Sequence, residues 1–370
     1  MYTSQKLLIW LRLIKGGEDT QVAQFEYGKV LDSLITPDVV SALGNVREHR
    51  GRQELYKSLQ PAALEKLCEV AKIQSTGASN RIENISTSEM RLRELMQRKI
   101  EPMNSDEREI AGYRYVLDMI HESHDSIPVT PGVILQLHRD LYRFCDVSFA
   151  GRWKDSDNII AERAADGRMV ARFVPTSAVA TPGAVECICN EYSRWSKDGT
   201  YDPLLVSLVF VFDLVCIHPF SDGNGRMSRL LTLLLTYRSG YDVGKYVSIE
   251  AEIERTKATY YEALAASSAG WAKGESDYAP FVTYMLGVMA ACYADLDARV
   301  ALLASGGKGE DILRAYFADL VGTATKRRIL DDNPTLSRRT VERVLQKLQS
   351  EGIIEKVGAA RATTYRRVER

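Results

Sequence analysis

Residues 218–229 read His-Pro-Phe-Ser-Asp-Gly-Asn-Gly-Arg-Met-Ser-Arg, and they separate two strongly apolar runs. The first run extends from Leu204 to Ile217 and the second from Leu230 to Leu235. A helix that is apolar on nearly all sides is buried, and both runs have this pattern. We therefore predict two buried helices, one ending at His218-Pro219 and one beginning near Gly225, that hold a polar loop rigidly between them.

The loop contains residues typical of a phosphate-binding site. Gly223 and Gly225 bracket Asn224, so the backbone can approach a ligand and turn its N–H groups towards it. The start of the following helix adds a partial positive charge. Arg226 and Arg229 are three residues apart, so we expect both guanidinium groups to project from about the same face and bind phosphate oxygens. These features predict a site for a nucleotide diphosphate.

Two side chains of the loop are suited to catalysis. Asp222 offers a hard carboxylate oxygen for Mg²⁺, and His218 can take a proton from an attacking hydroxyl group. Each feature has a simpler interpretation, since glycines often form plain turns and histidines often only pack. We expect the packing role for His138, which lies in the apolar helix opened by Thr130-Pro131.

The loop resembles the signature of the Fic family, His-x-Phe-x-Asp/Glu-Gly-Asn-Gly-Arg-x-x-Arg, and every fixed position matches. The resemblance implies a mainly α-helical Fic fold and transfer of AMP from Mg-ATP to a Ser, Thr or Tyr hydroxyl of a target protein. It also implies that His218 is the general base, that Asp222 is the metal ligand and that Phe220 anchors the loop. The phosphate cradle would consist of Gly223, Asn224, Gly225, Arg226 and Arg229.

The resemblance extends over roughly residues 107–294 and includes a predicted hairpin between Gly151 and Pro175. Its β-favouring pieces are Asn158-Ile159-Ile160 and Met169 to Val174, with a turn at Asp166-Gly167. In the family, such a flap holds the backbone of the target protein by strand pairing. The resemblance implies this docking role for Asn158, Ile159 and Ile160.

Tyr260 and Tyr261 are similar to tyrosines on the adenine side of the nucleotide site in family members. Adjacent tyrosines are also common in protein cores, so packing is the alternative role. We expect the pair to line the pocket for the base.

Ser79-Asn80-Arg81-Ile82-Glu83-Asn84 resembles the inhibitory motif of the family, Ser/Thr-x-x-x-Glu-Gly/Asn. Ser79 and Glu83 are four residues apart and so share one helical face. The resemblance implies that Glu83 pairs with Arg229, displaces the ATP γ-phosphate and keeps the enzyme inactive. An ordinary solvated helix, which often carries glutamate, is the alternative.

The segment after Thr323 has the layout of a winged helix-turn-helix domain. Ser337 is a predicted N-cap, and the segments 353–357 and 363–365 are predicted to form a hairpin wing around Gly358. The buried face of the helix would carry Val341, Val344, Leu345 and Leu348. The candidate contacts to DNA are Arg338, Arg339, Arg343 and Lys347. A dimerisation or scaffold module, whose basic residues are only solvated, is the alternative.

Composition and length complete the prediction. The 370 residues are expected to form an N-terminal helical region (1–106) with the inhibitory helix, a catalytic core (107–305) and the winged helix domain (311–370), with a linker at Ser305–Gly309. The net charge of -1 gives no global attraction to nucleic acid. Six cysteines without metal-site spacing favour free thiols and a cytoplasmic location. The apolar runs Leu7–Ile14 and Tyr278–Ala294 are interpreted as core helices rather than as membrane segments.

The leading hypothesis is a self-inhibited protein adenylyltransferase with ATP, Mg²⁺ and a target protein as partners. Self-modification, DNA binding and a homodimer are further expected associations. Transfer of UMP or phosphocholine is an alternative, whereas Gly225 argues against transfer of phosphate, because that variant of the family carries lysine there. A nucleotide-sensing DNA-binding transcription regulator is the non-enzyme alternative.

Overall fold

The computed structural model describes residues 25–59, 61–163, 169–304, 309–320, 322–333, 336–358 and 363–368. Within these ranges the protein is mainly α-helical, as predicted. The run Leu7–Ile14, the turn at Asp166-Gly167, residues 305–308 of the predicted linker and Pro334 lie outside the described residues.

The helices and strands follow one another along the chain with short connections. The helices are α1 (Tyr27–Ser33), α2 (Pro37–Leu59), α3 (Pro61–Ile82), α4 (Glu89–Met96), α5 (Ser105–Ser123), α6 (Pro131–Leu141), α7 (Thr181–Asp198), α8 (Pro203–Ile217), α9 (Asn224–Arg238), α10 (Ile249–Arg255), α11 (Lys257–Ser268), α12 (Ala279–Ala304), α13 (Gly309–Asp319), α14 (Lys326–Asp332) and α15 (Arg338–Ser350). The strands are β1 (Ile160–Arg163), β2 (Met169–Phe173), β3 (Ala324–Thr325), β4 (Ile354–Val357) and β5 (Thr364–Arg367).

The two buried helices on either side of the loop are α8 and α9. Asp202 caps α8 by accepting a hydrogen bond from the amide of Leu204 at 2.8 Å, and Pro203 opens the first turn. The helix ends where His218 adopts a left-handed backbone (φ 51°), and α9 begins after Gly223 (φ 81°). Since α8 and α9 pack against each other and are buried along most of their length, the loop between them has fixed ends.

The N-terminal helices belong to the same hydrophobic core as the loop. Helix α2 packs along α12, and α3 packs against α5, α9 and α10. Tyr27, Leu31 and Ile82 are buried in one cluster with the residues of α8 and α9. No break in the core therefore coincides with the predicted boundary at residue 106, and α3 lies beside the helix that follows the loop.

Helix α12 is long and apolar enough, over Ala279–Ala301, to cross a membrane by length and composition alone. A core helix meets the same criterion. Here Phe281, Leu286 and Met289 are buried, and the helix packs along α2 and α11. It is thus a core helix of this fold, as predicted for Tyr278–Ala294.

Strands β1 and β2 form the predicted hairpin, but its first strand begins later than expected. Ile160 is the first residue of β1, and the register shifts directly after it. Asn158 and Ile159 precede the strand, so their assignment to it was wrong. The reason is that the side-chain amide of Asn158 donates a hydrogen bond to the carbonyl of Phe220 at 3.1 Å, which ties this residue to the loop instead of to a β-ladder.

The C-terminal residues form a separate hydrophobic cluster. Val341, Val344, Leu345 and Leu348 of α15 are all buried in it, on the face that the sequence predicts. Ser337 caps α15 by accepting a hydrogen bond from the amide of Thr340. Strands β4 and β5 pair as a hairpin, and β3 adds a third strand in the order β3-β5-β4.

Candidate active site

The loop between α8 and α9 lines a cavity of about 380 Å³. Six predicted residues of the loop border it, namely His218, Asp222, Gly223, Asn224, Gly225 and Arg229. The other predicted residues at its border come from three different elements and are Glu83, Asn158, Ile159, Ile160, Tyr260 and Tyr261. The fold therefore brings together residues that are up to about 180 positions apart in sequence.

Phe220 anchors the loop in the core, as the resemblance implied. Its ring is fully buried and stacks on His138, with the centroids 3.8 Å apart, and lies 5.4 Å from the ring centroid of Trp153. His138 accepts a hydrogen bond from the amide of Gly151 at Nδ1 (3.0 Å), so its Nε2 carries the proton donated to the carbonyl of Asp222 (3.1 Å). Burial lowers the pKa of His138 to about 4, which keeps this arrangement neutral. The predicted packing role of His138 thus includes support of the loop.

Asn224 closes the loop through both ends of its amide. Its Oδ1 accepts a hydrogen bond from the amide of Phe220 at 2.9 Å, and its Nδ2 donates to the carbonyl of Phe220 at 2.7 Å. The side chain of Asn224 is therefore committed to loop geometry. A phosphate at the start of α9 would meet the backbone N–H groups there rather than this amide.

His218 lies at the cavity with its imidazole largely withdrawn from water. Burial lowers its pKa first, and the charge of Lys154 lowers it further, whereas Glu83 and Asp222 raise it, with the result that the pKa is about 4. The imidazole is therefore neutral at physiological pH and can accept a proton.

Arg229 is buried and is held by the predicted inhibitory motif. Its Nε donates to the hydroxyl of Ser79 at 2.8 Å, and its Nη2 donates to the carbonyl of Ser79 (2.9 Å) and to Oε1 of Glu83 (2.8 Å). Although burial raises the pKa of Glu83, Arg229 lowers it below the ordinary value for glutamate. The contact is thus an ion pair with supporting hydrogen bonds.

Gly225 and Asn84 allow this close approach of α3 to the loop. A Cβ atom at Gly225 would lie 2.1 Å from Oε1 of Glu83, so only glycine leaves room for the carboxylate. Asn84 ends α3 in a left-handed conformation (φ 60°), which asparagine tolerates better than most residues. Both residues therefore shape the seat of Glu83.

Arg226 does not share the face of Arg229, and the expectation that both arginines reach a phosphate was wrong on this geometry. Its Nη2 lies 2.7 Å from Oε2 of Glu109 and donates to the hydroxyl of Tyr142 at 2.8 Å. Arg226 is only 1% exposed and is not part of the cavity wall. A spacing of three residues rotates a side chain by about 60° on a helix, enough for α5 and α6 to capture it.

The carboxylate of Asp222 is the loop's candidate ligand for Mg²⁺. Among the described residues, no cluster of three or more His, Cys, Asp or Glu side chains could hold a metal ion unaided. Mg²⁺ that arrives with a nucleotide needs only one or two protein carboxylates, because phosphates and water supply the other ligands. Asp222 at the cavity wall fits that requirement.

The sequence predictions missed several residues around the cavity. Val215, Cys216 and Leu264 form apolar parts of its wall, and their apolar character resembles that of any core residue. Lys154 and Glu109 were also missed, because nothing in their local sequence distinguishes a buried charge from a solvated one. Only the three-dimensional arrangement identifies them.

The four basic residues predicted to contact DNA lie far from this cavity wall and are exposed on α15. Arg338 lies 3.3 Å from Glu342, and Lys347 lies 2.6 Å from Glu310. Arg339 and Arg343 project from the same helix. The helix therefore presents basic groups opposite its buried face.

Comparison with known proteins places this geometry in context. Residues 128–236 match the Fic/DOC family. The protein adenylyltransferase fic-1 of Caenorhabditis elegans is 31% identical over 170 residues, which covers 45% of this chain and 28% of that protein. The protein adenylyltransferase Fic of Aedes aegypti is 28% identical over 178 residues, which covers 47% of this chain and 30% of that protein. The matches thus span less than a third of the length of these relatives.

Two solved structures share the fold. A Fic family protein from Desulfovibrio desulfuricans has a TM-score of 0.57 at 21% identity, over 91% of this chain and 97% of that chain. A Fic domain containing signaling protein from Bacteroides thetaiotaomicron has a TM-score of 0.59 at 21% identity, over 71% of this chain and 98% of that chain. The protein therefore has the fold of these Fic proteins, and its residues 128–236, which include the loop, match the Fic/DOC family.

Proposed function

We propose that this protein is an adenylyltransferase that transfers AMP from Mg-ATP to a Ser, Thr or Tyr hydroxyl of a target protein or of itself. The observation that carries the proposal is the single cavity in which a neutral imidazole, a carboxylate and a glycine-lined helix start meet at His218, Asp222 and Gly223–Gly225. The relatives named as protein adenylyltransferases support the same activity.

The reaction follows from the positions of these groups. His218 takes the proton of the target hydroxyl, whose oxygen attacks the α-phosphorus of ATP as the bond to the β-phosphate oxygen breaks and diphosphate leaves. The N–H groups at the start of α9 hold the phosphates. Asp222 would hold Mg²⁺, which supplies charge neutralisation to the diphosphate when bound. Tyr260 and Tyr261 would contact the base, and the hairpin with Asn158, Ile159 and Ile160 would present the target.

We also propose that Glu83 inhibits the enzyme. Arg229 is buried and saturated by Ser79 and Glu83, so it is not available to a γ-phosphate while α3 is in place. ATP would then bind in a pose unsuited to transfer, because correct alignment of the reacting atoms controls the rate. Removal of the carboxylate in Glu83→Gly is expected to raise transfer.

The test uses ATP labelled at the α-phosphate in parallel with ATP labelled at the γ-phosphate. The Glu83→Gly variant should transfer the α-label to protein and not the γ-label, the wild type should transfer less, and His218→Ala should transfer none. Label from the γ-phosphate would indicate phosphate transfer. UTP and CDP-choline, each with a labelled group, test the alternative transfers in the same assay.

We propose separately that the C-terminal domain binds DNA, on the strength of the exposed arginines of α15 next to the β4-β5 hairpin. Replacing Arg339 and Arg343 by alanine should weaken a gel shift at low salt. Lys347→Ala is the matched control, because Glu310 and Glu351 already neutralise that ammonium group. Absence of any shift for the wild type would instead favour the dimerisation role. The six free cysteines of the described residues are consistent with the proposed cytoplasmic location.

A further inference from the structure

Lys154 contacts the backbone on both sides of His218. Its amide donates to the carbonyl of Pro219 at 2.9 Å, and its ammonium group donates to the carbonyl of Ile217 at 3.0 Å. Pro219 follows His218 and Ile217 precedes it, so one residue binds both peptide groups that flank the imidazole. Lys154 is itself only 3% exposed.

The backbone at His218 needs such support. Its φ of 51° lies in the left-handed region, which is unfavourable for a residue with a Cβ atom and persists only where the surroundings hold it. This turn ends α8 and leaves His218 at the cavity wall. Loss of the support would let the imidazole leave the position from which it reaches an attacking hydroxyl.

The charge of Lys154 is costly in this place, and packing alone does not explain it. Among the described residues, no carboxylate lies within salt-bridge distance of the ammonium group, and Asp157 acts on it only at longer range. Burial lowers the pKa of Lys154 to about 8. A leucine or methionine would fill the same space without desolvating a charge, so we looked for a partner that benefits from the charge.

His218 is that partner. The charged groups that act on its imidazole are Lys154 from the segment before the hairpin, Glu83 from the end of α3 and Asp222 from the loop. The two carboxylates favour the protonated imidazole, whereas Lys154 and burial oppose it. Lys154 therefore counteracts two acids that would otherwise draw a proton onto the proposed base.

We propose that Lys154 is a positioning residue for His218, which clamps the two peptide groups beside the imidazole and keeps the ring neutral between two carboxylates. Its effect on His218 is independent of the reaction, whereas its effect on rate rests on the proposed function. Lys154 does not line the cavity, so it should act on the base and not on nucleotide binding.

The first test measures His218 directly, by NMR titration of the full chain with labelled histidine, of which the chain has five. Lys154→Met preserves chain length and the backbone hydrogen bond to Pro219, and Lys154→Arg preserves the charge. Lys99→Met makes the same substitution at an exposed position. We expect the pKa of His218 to rise by roughly one unit or more in Lys154→Met and to stay low in Lys154→Arg and Lys99→Met.

The second test measures transfer in the Glu83→Gly background. Lys154→Met should lower kcat by roughly tenfold or more at acidic pH with KM for ATP changed less than about twofold, and should move the acid limb of the pH–rate profile upwards. Lys154→Arg should restore most of kcat. Melting temperatures of all variants exclude a general loss of structure.

Equal behaviour of Lys154→Met and Lys154→Arg, or an unchanged pKa of His218 in Lys154→Met, would overturn the inference. If the Glu83→Gly parent transfers no AMP, the proposed function fails, while the histidine titration still decides the role of Lys154. The two failures are therefore distinguishable.

Discussion

Individual residues of the loop divide their labour between chemistry and support. His218, Asp222 and Arg229 could be predicted to share one site, because their spacing across a helix end and a helix start brings them together in any such turn. Arg226 could not be placed correctly, since its partner Glu109 lies far upstream on α5. The loop-closing role of Asn224 was also not apparent, because a side chain that bonds its own loop leaves no periodic signal.

The two hydrogen bonds of Asn224 can be tested by Asn224→Asp. A carboxylate can still accept from the amide of Phe220, but it cannot donate to the carbonyl of that residue and repels it. We expect a loss of roughly 1–3 kcal/mol in the free energy of unfolding, measured by urea denaturation. Asn190→Asp, at an exposed position of α7, should change it little. Similar stabilities of the two variants would show that Asn224 does not support the loop.

Helices and strands were predicted where local signals are strong. The caps at Asp202 and Ser337 lie where they accept hydrogen bonds from the first turn, and α8 and α9 lie on either side of the loop. The hairpin start was misplaced, because Asn158 is bound by the loop and not by a strand. Helix α3 could be recognised by its motif, but its contacts with α10 and α11 depend on residues far along the chain.

Those contacts latch the inhibitory helix. Arg81 binds Glu254 through two hydrogen bonds of 2.7 Å, and Lys257 donates to the carbonyl of Ile82 at the end of α3. Since the ion pair is partly exposed, its loss should weaken the seat of Glu83 by no more than about 1 kcal/mol. We therefore expect Arg81→Met to raise AMP transfer by up to roughly fivefold, less than Glu83→Gly does.

The control for the latch is Arg93→Met, which removes a pair within α4. It should leave transfer unchanged in the α-label assay. The reversed pair Arg81→Glu with Glu254→Arg should restore inhibition. A latch without regulatory effect would give wild-type transfer in Arg81→Met.

Asp213 joins several elements behind the loop. Its Oδ1 accepts hydrogen bonds from Trp271 (2.9 Å) and Tyr278 (2.7 Å), and burial raises its pKa to about 7. The folded protein thus binds a proton that the unfolded chain releases near pH 4, so this stabilisation is complete below about pH 4 and is lost as pH rises to about 7.

The change Asp213→Asn should remove this dependence while an amide oxygen keeps the acceptor for Trp271. The stability of the wild type relative to the variant should fall by up to about 1.4 kcal/mol per pH unit as pH rises from about 4 to about 7. Urea denaturation at several pH values measures the difference. A constant difference would mean that Asp213 is ionised throughout in the folded protein.

The whole molecule joins a regulatory helix, a catalytic loop and a C-terminal domain in one chain. The composition predicted a mainly helical protein, but the shared core of α1–α3 with α8 and α9 was not predictable, because hydrophobic periodicity shows which face is buried and not what covers it. This shared core seats Glu83 against Arg229 within the folded protein. The separate cluster around α15 leaves the C-terminal domain with its own core.

The central claim is that the loop transfers AMP under the control of Glu83, and intact-mass spectrometry of the purified chain after incubation with ATP and Mg²⁺ tests it most directly. We predict the added mass of adenosine monophosphate in Glu83→Gly, less of it in the wild type, and none when His218→Ala is combined with Glu83→Gly. An unmodified Glu83→Gly protein that also transfers no label to added proteins, or an adduct that persists without His218, would contradict the account.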